Sequence, residues 1–112
     1  MSLAITVSAL GLLVLAAAVS LPTINPEPSC RNAAERAKPI GSIEACMRVE
    51  RSARHELNKR WSEFTASEKA ACIPLATMGA TPTYTELLSC LEMKRDTRLL
   101  HEQETVGRGE PR

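Results

Sequence analysis

The residues of this sequence with the widest chemical range are Cys30, Cys46, Cys72 and Cys90, together with His55 and His101. Thiolate and imidazole groups can hold zinc, a thiolate beside a base can act as a nucleophile, and thiols in pairs can close disulfides. Spacing separates these possibilities. Structural zinc sites draw on short chelating pairs, whereas here 15, 25 and 17 residues intervene between successive cysteines. Neither histidine stands in a sequence relation to any cysteine, so no thiol nucleophile with its base is read, and there is no Cys-x-x-Cys redox pair. Glycine-rich phosphate loops, nucleophile elbows and paired-histidine zinc signatures are missing as well. The sequence therefore predicts no catalytic, cofactor-binding or metal-binding residue. It assigns the four cysteines to structural disulfides and reads His55, set among charged neighbours, as a surface histidine.

A chain of 112 residues that opens on an apolar stretch has room for one domain. Lys plus Arg number 14 against 13 Asp plus Glu, and all of these charges lie beyond residue 26, so the polar part is almost neutral. That balance excludes the clustered basic surface of a nucleic-acid binder. Trp61, Phe64 and Tyr84 are the only aromatic residues, which leaves Leu, Ile, Met, Val and Ala to build the core. A core so thin calls for covalent reinforcement, which the cysteines can supply.

From Leu3 to Leu21 the sequence LAITVSALGLLVLAAAVSL carries no charge, as the apolar region of a secretory signal does. Ala16-Ala17-Ala18 and Ala18-Val19-Ser20 both fit the small-x-small pattern of a cleavage site, giving a mature chain that starts at Val19 or Leu21. The opposing signal is the placing of Arg31, Arg36 and Lys38 after the apolar stretch with no basic residue before it, which favours a cytosolic orientation of the domain. About 19 apolar residues are also enough to span a bilayer, so a retained anchor is the alternative. The cysteines and the cleavage pattern weigh toward export into an oxidising compartment. Pro-Glu-Pro-Ser ahead of Cys30 lacks the small and apolar residues of a lipid-attachment signal. The expected organisation is a signal peptide or membrane anchor over 1–20, a Pro-rich extended spacer over 21–28, a disulfide-stapled helical domain over 29–100 and a disordered tail over 101–112.

Four helices must position the cysteines. Ser29 can cap a first helix from Cys30 to Ala37, ended by Pro39 and Gly41, and Ser42 can cap a second and longest one. Along the second, Ile43, Cys46, Val49, Ala53, Leu57, Trp61 and Phe64 step by three or four and predict one buried stripe. Glu44 with Arg48, Glu50 with Arg54 and Glu56 with Arg60 read as i, i+4 pairs on its solvated faces. Thr65-Ala66-Ser67-Glu68 fits a capping box that starts a third helix, which Pro74 should kink or stop, with Gly79 as the outer limit. Thr81 followed by Pro82 starts a fourth, with Tyr84, Leu87, Leu88, Leu91 and Arg95 on one face. Trp61 and Phe64, at the end of the second helix, are read as covers for the end of the core in preference to exposed anchors for a partner.

The run Trp61-x-x-Phe64, then Cys72, Gly79, and Pro82-x-Tyr84-x-Glu86-Leu87-Leu88-x-Cys90-Leu91-Glu92-Met93 resembles a group of small exported helical proteins of alphaproteobacteria. The likeness reaches back to Cys30 and Cys46 and covers about two-thirds of the chain. That group carries no assigned activity, so the resemblance implies export and paired cysteines and carries over no functional residue.

Four cysteines permit three pairings. In an antiparallel hairpin, residues equally far from the turn come opposite each other, and a disulfide needs alpha carbons within about 7 Å. Cys30 and Cys46 flank the turn at Lys38 to Gly41 evenly, and Cys72 and Cys90 flank the turn at Gly79 to Thr81 evenly. Cys46 and Cys72 lie at unequal distances from the turn near Phe64. The expected fold is thus all-α, two helical hairpins closed by Cys30–Cys46 and Cys72–Cys90. The expected role is that of a non-enzymatic exported protein, periplasmic or secreted, acting on an unidentified protein partner without cofactor or nucleic acid. The alternative is a membrane-tethered accessory subunit of a larger complex, with Gly11 and the Ala16 to Ala18 face allowing close helix contact.

Overall fold

The computed structural model describes residues 19–36 and 42–107. Within them the regular elements are helices: α1 Glu27–Arg36, α2 Ile43–Arg60, α3 Ala66–Thr77 and α4 Tyr84–Gly107, with one 3-10 turn, Trp61–Glu63, continuing α2. The fold is all-α, two helical hairpins each closed by a disulfide. Residues 1–18, which hold most of the apolar segment, and 37–41, where Ala37 and the expected first turn fall, lie outside the described residues.

α1 starts earlier than Ser29. The Asn25 side chain accepts a hydrogen bond from the Glu27 backbone N–H at 3.2 Å, and the Cys30 N–H reaches the Pro26 carbonyl at 3.0 Å. Pro28 falls inside the first turn, where its missing donor costs nothing because that N–H has no intrahelical partner. Ser42 caps α2 as expected, accepting from the Ala45 N–H at 3.1 Å. The capping box at α3 is complete: the Thr65 hydroxyl accepts from the Glu68 N–H at 3.1 Å, and the Glu68 carboxylate accepts from the Thr65 N–H at 2.8 Å. Pro74 does not stop α3, which continues through it to Thr77 within the limit set by Gly79. The cap of α4 is Thr83, not Thr81: its hydroxyl accepts from the Glu86 N–H at 3.0 Å, leaving Pro82 just outside the helix.

Leu57 of α2, Cys72 and Ala76 of α3, and Leu87 and Leu91 of α4 are fully or almost fully buried, with Ala53, Phe64, Tyr84 and Ile24 closing the same core. Burial of this kind contributes roughly 1.5–3 kcal/mol per large aliphatic side chain and supplies most of the cohesion of the bundle. The α2 stripe differs from its expected form. Ala53, Leu57 and Phe64 face inward, but Val49 is 58 % exposed and Ile43 is also exposed, while Glu50 is 4 % exposed. Both Val49 and Glu50 continue a helical series through Ala53 and Leu57. The inward place goes to Glu50 because the N-terminus of α4 packs there, and its free N–H groups need an acceptor that valine lacks.

Two segments expected to stand apart from the domain belong to it. Residues 21–26 form no helix or strand, yet Leu21 packs on the core and Ile24 is buried. The Ile24 N–H donates to the Tyr84 hydroxyl at 2.9 Å. An apolar residue every third position, Leu21 and Ile24, is what turns this spacer into a strap. The tail after Leu100 is helical to Gly107, which makes α4 the longest element, in place of α2. His-Glu-Gln-Glu is poor in apolar residues but rich in good helix formers, and α4 extends through it. Residues 108–112 lie outside the described residues.

Candidate functional site

All four cysteines lie in pairs. Cys30 and Cys46 join α1 to α2 with alpha carbons 5.5 Å apart, and Cys72 and Cys90 join α3 to α4 at 5.7 Å. Cys30 and Cys72 have no exposed surface, so each bridge has one end sealed in the interior. The histidines are not brought together: His55 is exposed on α2 and His101 is exposed on α4. Among the described residues no cluster of three or more His, Cys, Asp or Glu could hold a metal ion.

Of the two buried carboxylates, Glu68 serves the capping box expected of it, whereas Glu50 does not keep its expected partner. Glu50, expected to pair with Arg54 on an exposed face, instead crosses to α4, where it accepts from the backbone N–H groups of Tyr84 at 2.7 Å and Thr85 at 3.4 Å and from the Thr85 hydroxyl. A carboxylate placed there meets both the unsatisfied donors and the positive end of the helix dipole. Arg54 lies over the Tyr84 ring, 5.8 Å from its centroid. A cleft of about 120 Å³ remains beside this cap, between the strap residues Ile24 and Pro26 and the α2 residues Met47 and Arg51. With Glu50 spent on helix capping, the cleft is a seam between strap and helix.

Glu68 joins its capping duty to an ion pair with Arg98 of α4, at 3.1 Å. Burial acts to raise its pKa, but the Thr65 N–H and the Arg98 guanidinium outweigh it and hold the carboxyl below its ordinary value. Arg98 also donates to the Glu63 carbonyl at 3.2 Å. Around it, Arg60 and Arg95 flank the buried Phe64 ring at 5.7 and 5.8 Å and reach Glu63 at 3.4 and 3.6 Å. This network ties the turn after α2 to the middle of α4.

Trp61 is half-buried against the core, and its ring carries the Lys69 ammonium 4.7 Å from the centroid. Its indole N–H donates to the Val19 carbonyl at 2.6 Å. Both aromatic residues at the end of α2 thus serve the core, and Trp61 also holds the segment that leads into the strap.

The surface best suited to a partner lies elsewhere. Leu99, Leu100 and Val106 of α4 are 45 %, 61 % and 57 % exposed, and with Asp96, Glu102 and Gln103 they line one open groove. Sequence reasoning passed over it by ending the fourth helix near Leu100. The available signal was the spacing of Leu99, Gln103 and Val106, three and four residues apart on one helical side.

No family model, curated protein or solved structure matches this chain. Two closed disulfides are compatible with an oxidising, extracytoplasmic compartment, and among the described residues no helix is long and apolar enough to cross a membrane.

Proposed function

We propose that this is a non-enzymatic exported protein that acts by binding, as a small accessory or inhibitory partner of another protein. The observation that carries the reading is the exposed Leu99, Leu100 and Val106 face on α4, held out from a core that two disulfides brace. Exposed apolar side chains grouped on a rigid element are the usual material of a protein contact. The buried carboxylates that chemistry would recruit, Glu50 and Glu68, are instead committed to capping α4 and α3.

The test begins with the intact mass of the protein recovered from native soluble and membrane fractions. The expected species is soluble and extracytoplasmic, starts at Val19 or Leu21 and carries both disulfides. Leu100→Glu in that species should abolish capture of the partner that the unaltered protein retains. A turnover activity in the purified domain would refute the proposal.

A second reading, a membrane-tethered accessory subunit, is favoured by one contact. The Trp61 to Val19 hydrogen bond fixes the domain directly at the end of the apolar stretch, without a slack linker. Recovery of the uncleaved chain from membranes alone would select it.

A further inference from the structure

The groove on the last turns of α4 is apolar along Leu99, Leu100 and Val106 and acidic at Asp96 and Glu102, with Gln103 between them and no basic side chain among the described residues that line it. The nearest cations are already divided. Arg95 reaches both Glu63 and Asp96, and Arg98 reaches both Glu68 and Glu102, so two guanidinium groups serve four carboxylates. Glu104 adds another exposed acid. The charge left over at the rim is negative.

We propose that the occupant of this groove is a basic amphipathic helix of another protein, laying apolar side chains over Leu99, Leu100 and Val106 and setting Lys or Arg against Asp96 and Glu102. The proposal deepens the function given above: it rests on that reading of α4 as the binding face and adds the chemistry of the partner. An amphipathic helix in an apolar groove is a recurring mode of recognition, and charge at the rim decides which helix is accepted. From Asp96 to Val106 the groove is about 15 Å long, which about three turns of a partner helix cover. A second copy of the chain does not fit. An antiparallel pair centred on Leu99 sets Asp96 of one copy level with Glu102 of the other, a parallel pair sets each acid against itself, and like charges so placed repel. An anionic lipid surface is repelled by the same carboxylates.

The test uses two fluorescein-labelled helical peptides of about 18 residues, alike in their leucine positions, one with Lys and one with Glu at the polar positions. Fluorescence anisotropy with the disulfide-bonded protein should show the Lys peptide bound about tenfold more tightly than the Glu peptide, and severalfold more weakly at about 500 mM salt than at about 50 mM. Asp96→Lys with Glu102→Lys should reverse the preference, and Leu100→Gln should weaken binding severalfold. Glu44→Lys with Glu86→Lys changes the net charge equally at exposed sites outside the groove and should leave the preference as it was. Intact disulfides and unaltered helical circular dichroism check the fold of each variant. Equal binding of the two peptides, a preference that survives the reversal at Asp96 and Glu102, or the same reversal in the Glu44 and Glu86 variant would overturn the proposal. Binding of neither peptide, with partner capture still lost in Leu100→Glu, would overturn this inference alone; a turnover activity in a protein that shows the expected reversal would remove the function and leave this inference standing.

Discussion

The carboxylate of Glu50, in the middle of α2, accepts a 2.7 Å hydrogen bond from the backbone N–H of Tyr84, the first residue of α4. One side chain thereby caps a helix that begins 34 residues further along the sequence. The two hairpins are separately stapled, and this contact fixes how α4 starts against α2. Glu50→Ala should cost about 2 to 3 kcal/mol, the range for hydrogen bonds to a charged group whose loss leaves donors unpaired. Glu50→Gln keeps one acceptor oxygen and should lose less. Urea unfolding midpoints at neutral pH measure both, and a Glu50→Ala midpoint equal to that of the parent would remove Glu50 from this role.

The strap gives a second prediction. A chain starting at Leu21 retains Leu21 against the core, Ile24 in it and the Ile24 to Tyr84 bond. A chain starting at Glu27 loses all three. Burial of Ile24 is worth about 2 kcal/mol and a buried neutral hydrogen bond about 1, so the shorter chain should be about 3 kcal/mol less stable. Equal melting temperatures for the two chains would return residues 21–26 to the status of a free spacer.

How much of this was legible in the sequence follows from the range of the interactions involved. The capping box Thr65 to Glu68, the Ser42 cap and both disulfides are set by contacts within one helix end or one hairpin, and local spacing predicts them. Glu50 was misread because Glu50 and Arg54 fit an i, i+4 pair, and only the tertiary approach of α4 supplies the stronger partner. The strap was missed because its prolines signal only the lack of a helix, while the docking of Ile24 depends on Tyr84, 60 residues away. The end of α4 was missed for another reason: apolar content was used as the sign of a helix, whereas residues 101–107 are helical without a buried face of large side chains.

Trp61 provides the third prediction. Its ring packs on the core, its N–H holds the strap at Val19, and its face receives Lys69, which is 5 % exposed. Trp61→Ala should lower stability by about 2 kcal/mol, less than for a fully enclosed aromatic because the side chain is only half-buried. The melting temperature should fall accordingly. An unchanged melting temperature with lost partner binding would make Trp61 an exposed anchor instead.

The disulfides should not be equal in their structural consequences. Each closes a loop of 16 to 18 residues and, in the chain-entropy picture, contributes about 3 kcal/mol. Cys72 also belongs to the main core with Leu57, Leu87 and Leu91, whereas Cys30 does not. Cys72→Ala with Cys90→Ala should therefore cost more than Cys30→Ala with Cys46→Ala, because it adds lost packing to lost cross-linking. Peptide mapping of the unreduced parent should return the two native pairs, and chemical denaturation of each double variant ranks them. Equal losses would mean that the Cys72 sulfur adds nothing to the core beyond its bond.

Glu68 makes the fold sensitive to acid. Its carboxyl is raised by burial but lowered more by the Thr65 N–H and by Arg98, so its pKa in the folded chain lies below that in the unfolded chain. A depressed carboxylate stabilises the fold fully above its unfolded pKa, near 4.3, and that contribution disappears as pH falls through the lower folded value. Protonation would also remove the charge that holds Arg98, 3.1 Å away, and loosen α4 from the start of α3. Glu68→Gln keeps an acceptor for the Thr65 N–H but has no charge to lose. It should be less stable than the parent at pH 7 by about 1 kcal/mol, a typical loss for a weakened N-cap. The difference should narrow as the pH is taken from 5 toward 2, since the parent alone surrenders the ionic part of the contact. Urea midpoints of both proteins across that range decide the matter: a constant gap would mean that the Glu68 charge contributes nothing to stability, and a gap that widens in acid would reverse the sign of the argument.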